Sequence, residues 1–271
     1  MIRTSPSGKA SLLFYSSNND KIFINSLSSS PEINIDQDMK LTKQWISPLI
    51  RLFFPHYCVV CEGRLREDEE VLCAECWQRF PRTNFHLLKD NPVERLFWGK
   101  FTVGRATAFY YYWQEDDYSR IVRLLKYNDR PDVGISMGRK MATELLPSGF
   151  FEGVEMLIPV PLHKKRQKER GYNQSEQLAL GVREITGIPL RTDAVVRVRN
   201  TETQTHKTAQ ERFENMQQVF QRTAPIELLQ GKHILLIDDV LTTSATLTAC
   251  ADALQEVPDL TISILALAMA G

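Results

Sequence analysis

The sequence predicts an α/β fold, a parallel sheet flanked by helices, preceded by a small N-terminal four-cysteine zinc module. From about residue 101 onward, strand-like and helix-like segments alternate, the pattern of βα units joined by right-handed crossovers. Ile234 to Ile237 form an unbroken apolar run, as expected of a parallel strand covered on both faces. Ahead of these units, Cys58-x2-Cys61 and Cys73-x2-Cys76 make two knuckles separated by eleven residues, a spacing suited to a tetrahedral zinc ion.

Composition sets bounds on function. The 271 residues are 43% hydrophobic and 24% charged, ordinary values for a soluble protein. Lys+Arg and Asp+Glu both number 33, which removes any global electrostatic attraction to nucleic acid and leaves only local patches. No apolar run approaches the roughly 20 residues that cross a bilayer, and the N-terminus lacks the features of a secretory signal, so a cytoplasmic location is expected.

In chain order, residues 1–38 are rich in Ser and Asn without sustained periodicity and are expected to be disordered. Met39 is a candidate true start. Residues 39–95 are expected to hold an apolar helix and the cysteine module. Trp45, Ile46, Leu49, Ile50, Leu52, Phe53 and Phe54 gather apolar surface that packs on the module or, alternatively, touches a membrane peripherally. Charged residues crowd 64–70 and no sizeable apolar set separates the knuckles, so folding there is expected to depend on the metal. Four thiolates close the coordination shell, which makes the zinc structural; a pair of disulfides is the competing reading.

The second domain is expected over 100–271. Thr107 to Trp113 is aromatic and strand-prone, and Tyr118, Ile121, Val122 and Leu125 make a helical stripe. A helix follows over 134–146, then a strand from Met156 stopped by Pro159 and Pro161. A basic loop, a helix carrying Leu178, Ala179, Val182 and Ile185, and a strand near Leu190 to Arg197 come next. The order closes with a strand over 233–238, a helix from Thr243 or Ser244 bearing Leu247, Cys250, Ala251 and Leu254, and a strand over 260–268.

The candidate site lies where the 233–238 strand meets its helix, since ligands of such sheets bind beyond the carboxyl ends of the strands. Asp238 and Asp239 can accept hydrogen bonds from sugar hydroxyls or hold hydrated Mg²⁺. Thr242, Thr243, Ser244, Ala245 and Thr246 form a turn whose hydroxyls and helix N-terminus suit a phosphate. Between 163 and 170, Lys164, Lys165, Arg166, Lys168 and Arg170 can neutralise a diphosphate. Gly171 lets the backbone approach closely, while Asn173 and Gln174 offer amide donors. A polar stretch over 199–215 has the length of a lid.

The segment from Ile234 to Thr246 resembles the phosphoribosyl diphosphate (PRPP) signature of type I phosphoribosyltransferases, with Ser244 where that signature usually has Gly. Further motifs are Leu125-Lys126-Tyr127, Pro159-Val160-Pro161-Leu162, Arg170-Gly171-Tyr172-Asn173-Gln174, and Gln204-Thr205 with Arg212 and Asn215. Together with the four cysteines, they make the chain from about Met39 resemble the ComF (GntX) competence family. That resemblance implies a type I phosphoribosyltransferase-like fold with an N-terminal zinc finger, a PRPP site that includes Gln204 and Arg212, and a link to DNA uptake in natural transformation. The expectation is PRPP binding with Mg²⁺ and phosphoribosyl transfer to an unidentified acceptor, with Asp238, Asp239 and Arg170 in catalytic roles. The alternative is a non-catalytic adaptor that binds single-stranded DNA or DNA-uptake proteins, with PRPP or a nucleotide as a signal only. For it, the 163–170 segment, Arg120 and Arg123 supply charge, and Tyr110, Tyr111, Tyr112 or Trp113 supply stacking surface.

Overall fold

The computed structural model describes residues 56–127, 130–199 and 219–271. Four parallel strands form the central sheet: β1 (Val103–Tyr112), β2 (Met156–Pro159), β5 (His233–Leu241) and β6 (Thr261–Ala270), in the order β1-β6-β5-β2. Two short strands, β3 (Val195–Arg197) and β4 (Phe220–Arg222), pair antiparallel beside it. The helices of the described residues are α1 (Ala74–Gln78), α2 (Pro92–Arg95), α3 (Ser119–Tyr127), α4 (Pro131–Leu145), α5 (Lys164–Arg170), α6 (Gln174–Thr186), α7 (Ile226–Leu229) and α8 (Ala245–Asp252).

The sheet is covered on both faces, and strand alternation decides which residue goes where. Leu157, Leu235, Ile237, Leu265 and Leu267 point to one face, where Ile121 and Leu125 of α3, Met137 and Met141 of α4, and Leu178 and Val182 of α6 bury them. Met156, Ile158, Ile234, Leu236, Ile262 and Ile264 point to the other, against Val93, Phe97, Leu247, Cys250, Ala251 and Leu254. Helices α4 and α6 cross at glycines. A Cβ on Gly181 would lie 2.0 Å from the Ile135 carbonyl oxygen, and one on Gly138 would lie 2.1 Å from that of Leu178.

The elements fall close to their expected places, with three differences. Residues 163–170, expected as a loop, are the helix α5: the segment is built of good helix formers, His163 Nδ1 accepts from the Lys165 amide at 3.3 Å, and Gly171 ends the helix at φ 78°. The expected strand from Leu190 to Arg197 is divided. Leu190 forms only a bridge to Leu157, and β3 turns away to pair with β4, after an ion pair between Arg191 and Asp193. Third, the knuckle segment has the apolar residues that the sequence reading did not credit to it. Val59, Val60, Leu65, Val71 and Leu72 are all buried and share the core of the α3/α4/α6 face. Residues 1–55, including Met39 and the apolar stretch over 45–54, lie outside the described residues. No helix of the described residues is long and apolar enough to cross a membrane.

Candidate functional site

Strand β5 builds the acidic half of the site. Its ladder with β2 stops at the Pro159 and Ile237 pair, whereas its ladder with β6 continues to Leu241 and Met269. Asp238 and Asp239 are therefore the first residues of β5 past the end of β2, with a strand on one side only and next to the opening that β2 leaves. Alternation sends their carboxylates to opposite sides of the strand. Asp238 is 8% exposed, and its Oδ1 accepts from Ser175 Oγ at 3.0 Å and from the Asp239 amide at 2.9 Å. Burial, reinforced by the neighbouring Asp239 charge, pushes the Asp238 carboxyl up to about 7. Asp239 Oδ1 accepts from the Val240 amide at 2.7 Å, and its Oδ2 meets Lys126 Nζ at 3.2 Å.

Beyond Leu241 the chain turns through exposed Thr242 and Thr243 into α8, which opens at Ala245, also exposed; Thr246 is half-buried. Ser244 is the N-cap with φ −70° and ψ −6°, ordinary right-handed backbone that needs no glycine. The residue that departs from the PRPP signature therefore sits without strain, and its Oγ accepts from Lys100 Nζ at 2.5 Å. Thr243 Oγ1 accepts from the Ala245 amide at 3.5 Å.

The cationic half comes from α3 and α5. Lys126, Tyr127, Arg166, Lys168, Arg170 and Gly171, with one acid, Glu169, line a cavity of about 510 Å³, and the Arg170 guanidinium lies 5.5 Å from the Tyr127 ring centre. Helix spacing explains the grouping, because Arg166 and Arg170 are one turn apart on α5. Lys164 and Lys165 are exposed and are not among the residues lining that cavity. Asn173 is the N-cap of α6: its Oδ1 accepts from the Ser175 amide at 3.2 Å and its Nδ2 donates to the Val160 carbonyl at 3.1 Å. Its side chain thus fixes the turn that presents Ser175 to Asp238. Gln174 is 2% exposed and its Nε2 is buried without a hydrogen-bond partner. Gln204 and Arg212, with the 200–218 stretch, lie outside the described residues.

Four residues of this neighbourhood escaped the sequence reading as site residues. Lys126 was visible only as part of a motif without a role. Ser175 is marked by its place two residues after a capping Asn. Lys100 and Arg197 carry no local signal, since only the fold brings them in. Arg197 is half-buried; burial and the Arg166 charge lower its pKa, and Asp238 opposes that shift.

The four knuckle sulfurs lie within 4.8 Å of one another, and all four cysteines are free thiols in this structure. Cys61 Sγ and Cys73 Sγ are 3.7 Å apart. A regular tetrahedron with metal–sulfur bonds of about 2.3 Å has edges of about 3.8 Å, so the cluster fits a four-thiolate metal ion. The Cys73 amide points at Cys58 Sγ at 3.4 Å and the Cys76 amide at Cys73 Sγ at 3.5 Å, donors that stabilise thiolate charge.

A second cavity, about 490 Å³, separates the first knuckle from α3 and shares Tyr127 with the first cavity. Arg120, Arg123 and Arg130 line it against a single acid, Glu62, and Tyr57 and Tyr127 are 56% and 74% exposed there. Of the aromatic run considered for stacking, Tyr110 is fully buried and Trp113 is 45% exposed.

No family model matches the chain. Among solved structures, a glutamine PRPP amidotransferase from B. subtilis covers 53% of this chain and 30% of its own at 17% identity and a TM-score of 0.37. A hypoxanthine phosphoribosyltransferase from Staphylococcus aureus covers 52% and 64% at 15% identity and a TM-score of 0.31. Curated relatives are nearer in sequence. DNA utilization protein YhgH of Escherichia coli K12 is 29% identical over 206 residues, 73% of this chain and 83% of the relative. Competence protein F of Haemophilus influenzae is 34% identical over 223 residues, 75% of this chain and 93% of the relative. With that identity running over nearly the whole of competence protein F, the chain belongs to the ComF family.

Proposed function

We propose that the protein binds PRPP with Mg²⁺ at the β5–α8 junction and acts as a phosphoribosyltransferase-like protein of DNA utilization. One observation carries the reading: the Asp238–Asp239 pair emerges beside a basic cavity on one side and runs into the hydroxyl turn of α8 on the other. The Thr242 to Thr246 turn would hold the 5′-phosphate through its hydroxyls and the helix N-terminus. Asp239, which faces Lys126, would take the ribose hydroxyls or hydrated Mg²⁺, with Asp238 behind it. Lys126, Arg166, Lys168 and Arg170 would receive the diphosphate.

Bound Mg²⁺ supplies charge neutralisation for the leaving diphosphate. The chain's own residues do the rest. Departure of diphosphate from the anomeric carbon leaves a cationic sugar; the Asp239 carboxylate, with Asp238 behind it, would stabilise that charge while the basic cavity would stabilise the leaving group. Zinc is the ion we assign to the four thiolates, in a structural role, because all four positions are protein ligands. Free thiols arranged in this way suit a reducing compartment such as the cytoplasm.

Calorimetric titration of the metal-loaded full chain with PRPP and Mg²⁺ tests the assignment. Saturable binding that Asp239→Asn weakens at least tenfold, in a variant with an unchanged circular dichroism spectrum, is the expected result. Unchanged affinity would sink it.

The groove bearing Arg120, Arg123, Arg130, Tyr57 and Tyr127 favours a second reading, in which single-stranded DNA lies along the groove and the PRPP site is a signal or is silent. Exposed aromatics next to arginines suit bases and phosphates, and the printed name of the YhgH relatives refers to DNA utilization. Under this reading Arg123→Ala with Tyr127→Ala abolishes a salt-dependent affinity for a single-stranded oligonucleotide and leaves Asp239 without influence on it.

A further inference from the structure

Both cysteine knuckles grip the same end of one helix, and the other end of that helix carries the lysine paired with the candidate site. Arg120, in the first turn of α3, donates through Nη1 to the Val60 carbonyl at 3.2 Å and to Glu62 Oε1 at 2.7 Å, both within or beside the Cys58–Cys61 knuckle. Tyr118, just before α3, donates its hydroxyl to the carbonyl of Cys76, a residue of the second knuckle, at 2.8 Å. Two turns on, Lys126 pairs with Asp239 at 3.2 Å. The last turn is also tied where the Tyr172 hydroxyl donates to the Leu125 carbonyl at 2.8 Å.

We infer that the metal centre positions the candidate site through α3: closing the two knuckles around an ion fixes Tyr118 and Arg120, and the helix sets Lys126 against Asp239. The physical basis is the rigidity of nine residues of hydrogen-bonded helix between the two ends. Backbone hydrogen bonds and the shared core hold each knuckle by itself, and ligation ties the two knuckles to each other, since no covalent bond links the four thiols. Tyr118 and Arg120 are positioning residues in this arrangement. Neither reaches the acid pair, and their influence on it passes through Lys126. Loss of the ion would leave Ser175 on Asp238 in place, since neither residue bonds to a knuckle, and would loosen on the Lys126 side the two ties that add to the core contacts of α3.

The test is lysine reactivity in the full chain. Metal-loaded wild type, Tyr118→Phe and Arg120→Ala are pulsed with an amine-acetylating reagent, and Lys126 is compared by peptide mass with Lys232, which pairs with Glu155 at 2.6 Å at the other end of the sheet. Metal content is measured on the same samples. Expected is a roughly fivefold rise in Lys126 labelling in either variant with metal retained and Lys232 unchanged, the change that loss of one hydrogen bond of about 1 kcal/mol brings. Arg120→Lys, which keeps the charge, should restore part of the protection. Lys126 labelling that stays at the wild-type level in both metal-retaining variants would overturn the inference. The affinity arm rests on the PRPP reading, with PRPP binding expected to weaken in the same variants. Wild type that binds no PRPP would defeat that reading while the labelling still decides this one.

Discussion

Replacing Asp238 by Asn should stabilise the free protein above neutral pH while removing ligand binding. In the fold both hydrogen-bond donors, Ser175 Oγ and the Asp239 amide, fall on Oδ1, so an asparagine oxygen can accept both with the same geometry. What the substitution removes is a charge held at 8% exposure next to a second carboxylate. The folded-state carboxyl titrates at about 7 against an ordinary value of 3.8. That difference of about 3 units, at about 1.36 kcal/mol each, makes the ionised form cost on the order of 4 kcal/mol. Because the folded value is raised, Asp238's contribution is fully favourable below about pH 4, declines as pH rises, and reaches its full cost above about pH 7.

The assay is a set of urea melts of wild type and variant between pH 4.5 and 8.5, since titrating groups away from Asp238 cancel in the difference. The variant should gain about 2–4 kcal/mol at pH 8.5, and that gain should shrink steadily toward pH 4.5. A difference independent of pH, or a variant less stable at pH 8.5 than at pH 4.5 relative to wild type, would refute the reasoning.

Ser175→Ala removes the hydroxyl donor that holds the Asp238 carboxyl down, so the midpoint of the same stability difference should move above its wild-type position, at a cost of about 1–2 kcal/mol near pH 8. Gly181→Ala puts a methyl group 2.0 Å from the Ile135 carbonyl and should lower stability by about 3 kcal/mol through separation of α4 from α6, read as a shifted urea midpoint with unchanged slope. Cys61→Ser should abolish stoichiometric metal binding. Because Val59, Val60, Leu65, Val71 and Leu72 share a core with the sheet, it should lower the melting temperature of the whole described fold and not of the module alone. A second, separate transition in calorimetry would contradict that expectation.

How much of this was legible in the sequence follows from the range of each interaction. The Ile234 to Ile237 run, the stripe of Ile121, Val122 and Leu125, and the cysteine spacing are local patterns with one dominant period, and each element appears where that pattern puts it. Asp238, Asp239 and the turn to Thr246 are contiguous, so their convergence needed only one strand and one helix start. Helix α5 was misread because a run of Lys, Arg, Gln and Glu has no apolar face, and the cue that decided it was a cap at His163 with a stop at Gly171. Lys126 lies over a hundred residues from Asp239, and Lys100 is as remote from Ser244; only the crossing of the chain between sheet edges brings them together. The knuckle's apolar residues were discounted for the same reason, since their partners lie on α3, α4 and α6 and not beside them in sequence.

A crystal structure of the metal-loaded full chain with PRPP and Mg²⁺ measures the central claim most directly. The account predicts the 5′-phosphate at the Thr242 to Thr246 turn, the ribose hydroxyls or Mg²⁺ at Asp239 with Asp238 behind it, and the diphosphate among Lys126, Arg166, Lys168 and Arg170. PRPP bound in the arginine groove beside Tyr57, or well-ordered crystals without PRPP at the β5–α8 junction under saturating conditions, would contradict it.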